Sequence, residues 1–115
     1  MTVAVNLAQD LMEEILAKPC IDPNGSEVGE NGRNTWDDMK DYDALTEQPG
    51  YIRSLDGALA TDPAAANLSR KGFVIDDWVS GQDTSKPANF QRVTVEVYAN
   101  SQLLVRLSRL VYMGT

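Results

Sequence analysis

The 115-residue sequence has no histidine and a single cysteine, Cys20. Without histidine there is no Ser-His or Cys-His nucleophile and no imidazole to shuttle protons near neutral pH. Zinc sites built on histidine or on several cysteines are excluded on the same ground. One cysteine cannot close an intrachain disulfide. Positive charge is also scarce: 10 Lys+Arg stand against 17 Asp+Glu, a formal charge of −7. Such a surface repels nucleic-acid phosphates, so no nucleic-acid partner is expected. No run reaches the ~18 apolar residues of a membrane span, and Asn6, Gln9 and Asp10 interrupt any signal-peptide core at the start. These absences argue against ordinary enzyme chemistry.

What is present is enough for one domain. Hydrophobic residues make up 43%, and a chain this long buries roughly two-thirds of its unfolded surface without needing a metal to fold. Residues 3–18 read as an amphipathic helix. Leu7, Leu11 and Ile15 recur at four-residue spacing beside Ala4, Ala8, Met12 and Leu16. Asn6, Gln9, Asp10, Glu13 and Glu14 fall on the other side, with Glu14 and Lys18 spaced as an i,i+4 pair. Pro19 ends the helix. Its start lacks a strong cap, so the chain reads as beginning inside an element.

Residues 19–89 are rich in breakers, among them Asp22-Pro23-Asn24-Gly25, Gly29-Glu30-Asn31-Gly32 and Gln48-Pro49-Gly50. Thr35 to Met39 is expected to start a single helical turn, and a short helix is expected after Asp62-Pro63. A strand is expected near residues 73–79. Residues 90–113 read as a β-hairpin. Val93, Val95 and Val97 alternate with Arg92, Thr94 and Glu96, and after the Ala99-Asn100-Ser101 turn Leu103, Val105 and Leu107 face one way. The apolar face of that hairpin needs a cover, and the helix carries the only matching stripe. The fold class is therefore α+β, with an N-terminal amphipathic helix on a small antiparallel sheet and a long irregular middle segment.

The acidic residues are the one constellation with possible chemistry. Asp22 and Asn24, with Ser26 and Glu27 beside them, offer closely spaced oxygens. Asp37, Asp38, Asp41 and Asp43 place four carboxylates within seven residues. Ca²⁺ takes six to eight oxygens in flexible geometry, so either segment could contribute ligands. The spacing is not that of an EF-hand. A solvated acidic face explains the same residues without a metal, and both explanations stand. Trp36, Tyr42, Tyr51 and Trp78 could stack a carbohydrate, although packing is the expected role of the two tryptophans. Met12 and Met39 are expected to fill the core, and Cys20 to be a buried free thiol.

The stretch from Asn6 through Leu11-Met12-Glu13-Glu14-Ile15-Leu16 to Lys18-Pro19 resembles the segment that follows the membrane half of the first helix in type IV pilin-like proteins. It is similar in particular to minor pilins and pseudopilins of the mannose-sensitive haemagglutinin type. The cluster Trp36-Asp37-Asp38-Met39-Lys40-Asp41-Tyr42-Asp43 and the alternating strand pair from Gln91 to Tyr112 follow in the family's order. The resemblance covers the first 43 residues and the last 25 or so. It implies a structural subunit of a bacterial type IV pilus or type II secretion system, in the cell envelope, partnered by other pilin or pseudopilin subunits. Calcium in a loop is known among related pseudopilins. Membrane contact would run only through an upstream apolar helix that this sequence lacks, together with the prepilin leader. On this reading the sequence is a soluble headgroup with Met1 added for expression. The single cysteine departs from the C-terminal disulfide loop of many pilins. The alternative is a soluble periplasmic or cell-surface binding module for calcium or carbohydrate. A small hydrolase ranks lower, for want of histidine.

Overall fold

The computed structural model describes residues 2–18, 39–53, 63–78, 81–86 and 88–112. Helix α1 (Thr2–Leu16) comes first. A 3₁₀ turn (Met39–Tyr42) leads into the short strand β1 (Leu45–Glu47), and a second one (Pro63–Ala65) precedes β2 (Leu68–Asp77). Strands β3 (Phe90–Ala99) and β4 (Gln102–Tyr112) complete an antiparallel sheet in the order β1-β2-β3-β4. One helix packed on a four-stranded antiparallel sheet is an α+β arrangement, as the patterning implied.

The helix forms where the period-four stripe demands it. Ala4, Ala8, Leu11, Met12 and Ile15 are buried, whereas Asn6, Gln9, Asp10 and Glu13 are exposed. The two alanines let the helix axis approach the sheet, and Leu11 and Ile15 supply the bulk. Complete burial of each stabilises the fold by about 1.5–3 kcal/mol. Opposite them lie Val74 of β2 and Val93, Val95 and Val97 of β3, all fully buried. Gly72 makes room for this layer. A Cβ there would stand 3.3 Å from the Tyr42 carbonyl oxygen and 3.6 Å from a Leu11 methyl.

Several details depart from the sequence reading. The strand expected near residues 73–79 begins at Leu68, because β3 pairs along the whole length from Leu68↔Ala99 to Asp77↔Phe90. Its polar first half, Ser69-Arg70-Lys71-Gly72, hides it from a propensity argument. Strand β1 was not anticipated; three residues are too few for a period. Glu14 is not a solvent-facing partner of Lys18: it is half-buried and accepts a hydrogen bond from the Tyr42 hydroxyl at 2.8 Å. Trp78, expected to pack in the core or semi-buried, is 39% exposed and so outside the core, and its indole N–H donates to the Lys86 carbonyl at 2.7 Å. Met12 and Met39 are buried, as expected.

The β3–β4 hairpin has a two-residue loop. Ala99 pairs with Gln102, and both Asn100 (φ 51°) and Ser101 (φ 68°) lie in the left-handed region, which is a type I′ turn. Just beyond the turn the register slips. Tyr98 pairs with Leu103 but Val97 with Val105, so Leu104 is an inserted bulge residue. The extra residue turns Leu103 to the face opposite the helix, away from Val105 and Leu107. The expected run of three on one face is thereby broken. The turn at Gln48-Pro49-Gly50 forms as read: the Tyr51 N–H donates to the Gln48 carbonyl at 2.9 Å, and Gly50 takes φ 83°.

Candidate functional site

Of the six residues read as metal ligands, Asp22, Asn24, Asp37 and Asp38 lie outside the described residues, as do Cys20 and Trp36. Asp41 and Asp43 are described. Asp41 sits half-buried on the first 3₁₀ turn and is already engaged in an interaction. Asp43 accepts the N–H of Val74 at 3.0 Å, two positions beyond the terminal β1–β2 pair, Leu45↔Gly72. Its carboxylate thus continues the ladder past the end of β1, a structural role. Among the described residues no three His, Cys, Asp or Glu side chains are grouped to hold a metal ion. Tyr42, read as a possible stacking surface, is fully buried, while Tyr51 is exposed.

Among the described residues the most buried charges form a clasp. Arg70 on β2 and Glu47 on β1 are 2% and 6% exposed, which decides that neither can meet a ligand from solvent. Arg70 Nε donates to Glu47 Oε1 at 2.6 Å, Nη1 to the Leu7 carbonyl of α1 at 3.0 Å, and Nη2 to the Arg53 carbonyl at 2.8 Å. Glu47 Oε2 accepts the Arg53 N–H at 2.7 Å. A planar guanidinium with its donors directed at three segments suits this position as an ammonium would not. The group ties helix, β1 and β2 together.

The sheet face away from α1 carries a different set. Lys71 of β2 and Glu96 of β3 are cross-strand partners, and Arg106 of β4 pairs with Glu96 on its other side. Glu96 Oε2 accepts from Arg106 Nε at 2.7 Å and Oε1 accepts from the Tyr98 hydroxyl at 2.7 Å. Burial pushes the Glu96 carboxyl up, but the hydrogen bonds from Tyr98 and Arg106 and the charges of Arg106 and Lys71 outweigh it and hold the group below the usual carboxylate range. Donating to Glu96 raises the Tyr98 phenol above its ordinary value. The Lys71 ammonium lies 5.1 Å from the centre of the Tyr98 ring. Next to this network Arg92 donates to Asp77 at 2.7 Å, and Phe90 and Tyr112 meet with ring centres 5.2 Å apart.

Beside Lys71 the open face deepens into a cleft of about 420 Å³. Its floor is Thr46, Ser69, Lys71 and Tyr98 from the strands. Its walls are turn residues: Gln48 and Pro49 after β1, Asn67 before β2, and the Asn100-Ser101 turn. Sequence reading missed this set, because its members are scattered over three turns and share no motif. A second groove of about 400 Å³ runs between α1 and β4, with Glu13 on one side and Arg109 on the other.

No described helix is long and apolar enough to cross a membrane. No protein-family model matches the chain, and neither a curated protein nor a solved structure matches it.

Proposed function

We propose that the chain is the headgroup of a type IV pilin-like structural subunit, a minor pilin or pseudopilin of a bacterial type IV pilus or type II secretion system. The observation that supports it is the setting of α1. A 15-residue helix lays its Ala4-Ala8-Leu11-Ile15 stripe on an antiparallel sheet, and keeps Asn6, Gln9, Asp10 and Glu13 exposed along its other side. In the family that the α1 phrase resembles, the same helix continues upstream as an apolar stalk. The exposed polar stripe is then available to neighbouring subunits, and the membrane is met only through the stalk. The protein acts by packing, with no reaction of its own, in the bacterial cell envelope.

The test is the native gene ahead of residue 2 and its processing. A Gly-Phe-Thr-Leu-x-Glu-like junction followed by ~20 apolar residues, cleaved by prepilin peptidase as seen by mass spectrometry, is the expected result. A conventional signal peptide cleaved by signal peptidase would reject the reading. It would favour the second one, a soluble binding module, for which the polar cleft is the supporting observation. A Ca²⁺ ion bound by the acidic segments belongs to either reading. Thermal melts with and without EDTA test it, and an unchanged melting temperature removes calcium from both.

A further inference from the structure

The cleft beside Lys71 is built largely from polar groups that are not committed to partners within the described part of the protein. Among the described residues, the carboxamides of Gln48, Asn67 and Asn100 make no side-chain hydrogen bond, and neither do the hydroxyls of Ser69 and Ser101. Each carboxamide offers two donors and an acceptor, and each hydroxyl both donates and accepts. Lys71 is the single charged group among the described residues of the lining. Its cross-strand neighbour Glu96 has one oxygen on Arg106 and the other on Tyr98. The Lys71 ammonium acts on Glu96 through its charge and lies 5.1 Å from the centre of the Tyr98 ring, and it makes no hydrogen bond to a described residue.

We propose that this cleft binds one acidic sugar unit of the hexuronate type, with its carboxylate on Lys71 and its hydroxyls on the turn carboxamides. Three features select that chemistry. One ammonium, with no arginine and no helix N-terminus among the described lining, suits a monoanionic carboxylate better than a phosphate dianion. Carboxamides and hydroxyls in mixed donor–acceptor array suit a ring of hydroxyl groups. Pro49 supplies an apolar surface against which the C–H groups of a pyranose can lie. The volume, about 420 Å³, is near the low end of small-molecule pockets and limits the occupant to a unit or two.

The turn chemistry points the same way. A type I′ loop prefers glycine at its second position, yet Ser101 holds φ 68° there and places a hydroxyl on the cleft wall. A side chain kept at a strained position is where a functional demand is expected. The inference goes beyond the filament reading and holds or fails independently of it.

The experiment is an amide NMR titration of the 115-residue protein with glucuronate, with glucose, acetate and inorganic phosphate as separate arms. Glucuronate is expected to move the side-chain amide signals of Gln48, Asn67 and Asn100 with millimolar affinity, and glucose to move the same signals more weakly. Lys71→Gln should weaken glucuronate about tenfold, through loss of the charge-assisted bond, and leave glucose unchanged. Ser101→Gly relieves backbone strain and so keeps the fold even if Lys71→Gln does not; it should weaken both sugars severalfold. The proposal is overturned if glucuronate leaves those amides in place at tens of millimolar. It is equally overturned if acetate or phosphate matches glucuronate, or if the folded Lys71→Gln protein binds it as before.

Discussion

Replacing Arg70 by methionine should be among the most damaging single changes in the sheet. Methionine fills a similar volume but removes every donor. The Glu47 carboxylate, 6% exposed, loses its guanidinium partner and keeps the Arg53 N–H, while the carbonyls of Leu7 and Arg53 lose the side-chain donors that reach them. Breaking a buried ion pair from one side costs about 3–5 kcal/mol. A domain of this length is stable by only about 6–17 kcal/mol, so a large share is lost. Unfolding entropy near 2.1 cal/mol/K per residue gives roughly 0.24 kcal/mol/K for 115 residues. Each kcal/mol then shifts the melting temperature by about 4 °C, and the variant should melt roughly 12–20 °C lower. Scanning calorimetry with urea melts measures both quantities. The double variant Arg70→Met, Glu47→Gln separates pair loss from poor packing. The neutral carboxamide introduced on β1 can still accept the Arg53 N–H without stranding a charge, so at least about 2 kcal/mol should return. A loss under about 1 kcal/mol in the single variant, or no recovery in the double, would refute the clasp as a stabilising element.

Three further outcomes follow from the same geometry. Ser101→Gly should stabilise the hairpin by about 0.5–1 kcal/mol, the left-handed penalty of a non-glycine residue less the extra unfolded-state entropy of glycine; a destabilised variant in urea would show that the serine side chain makes a contact worth more than its strain. Gln91 is 3% exposed and its Oε1 has no hydrogen-bond partner among the described residues, so Gln91→Leu should raise stability by about 1 kcal/mol, and a loss of that size would mean the acceptor is satisfied in solution. The Glu96 carboxyl titrates below its unfolded value, so the unfolded chain binds more protons in that interval. Its contribution is present above about pH 4.5 and is lost as pH falls through the lower folded value. Glu96→Gln should therefore flatten the acid limb of urea midpoint against pH; parallel limbs would show that folding leaves the carboxyl unshifted, and a steeper limb that the sign is wrong.

The parts legible in the sequence were those with a repeating local signal. The stripe of Leu7, Leu11 and Ile15 forecast which side of α1 would be buried, and the Val93-Val95-Val97 alternation forecast which side of β3 would meet it. The Asn100-Ser101 turn and the Gln48-Pro49-Gly50 turn were readable because a few backbone angles suffice to make them. Four of the six residues read as metal ligands lie outside the described residues, and Asp43, one of the other two, is used to extend the sheet.

Absence of histidine, scarcity of cysteine and the −7 charge were settled by composition alone, and with them the exclusion of histidine-based catalysis and of an intrachain disulfide. Helix, hairpin and α+β class followed from periodicity, because one-sided burial is written into residue order at spacings of two and three to four. Tertiary structure decided what periodicity cannot encode. A single inserted residue at Leu104 turned Leu103 to the other face. A charged residue in mid-strand, Arg70, became the most buried cation among the described residues, because three segments distant in sequence brought it a carboxylate and two carbonyls. Three turns with no common motif were gathered beside Lys71, because antiparallel strands in register bring their connections to one end of the sheet.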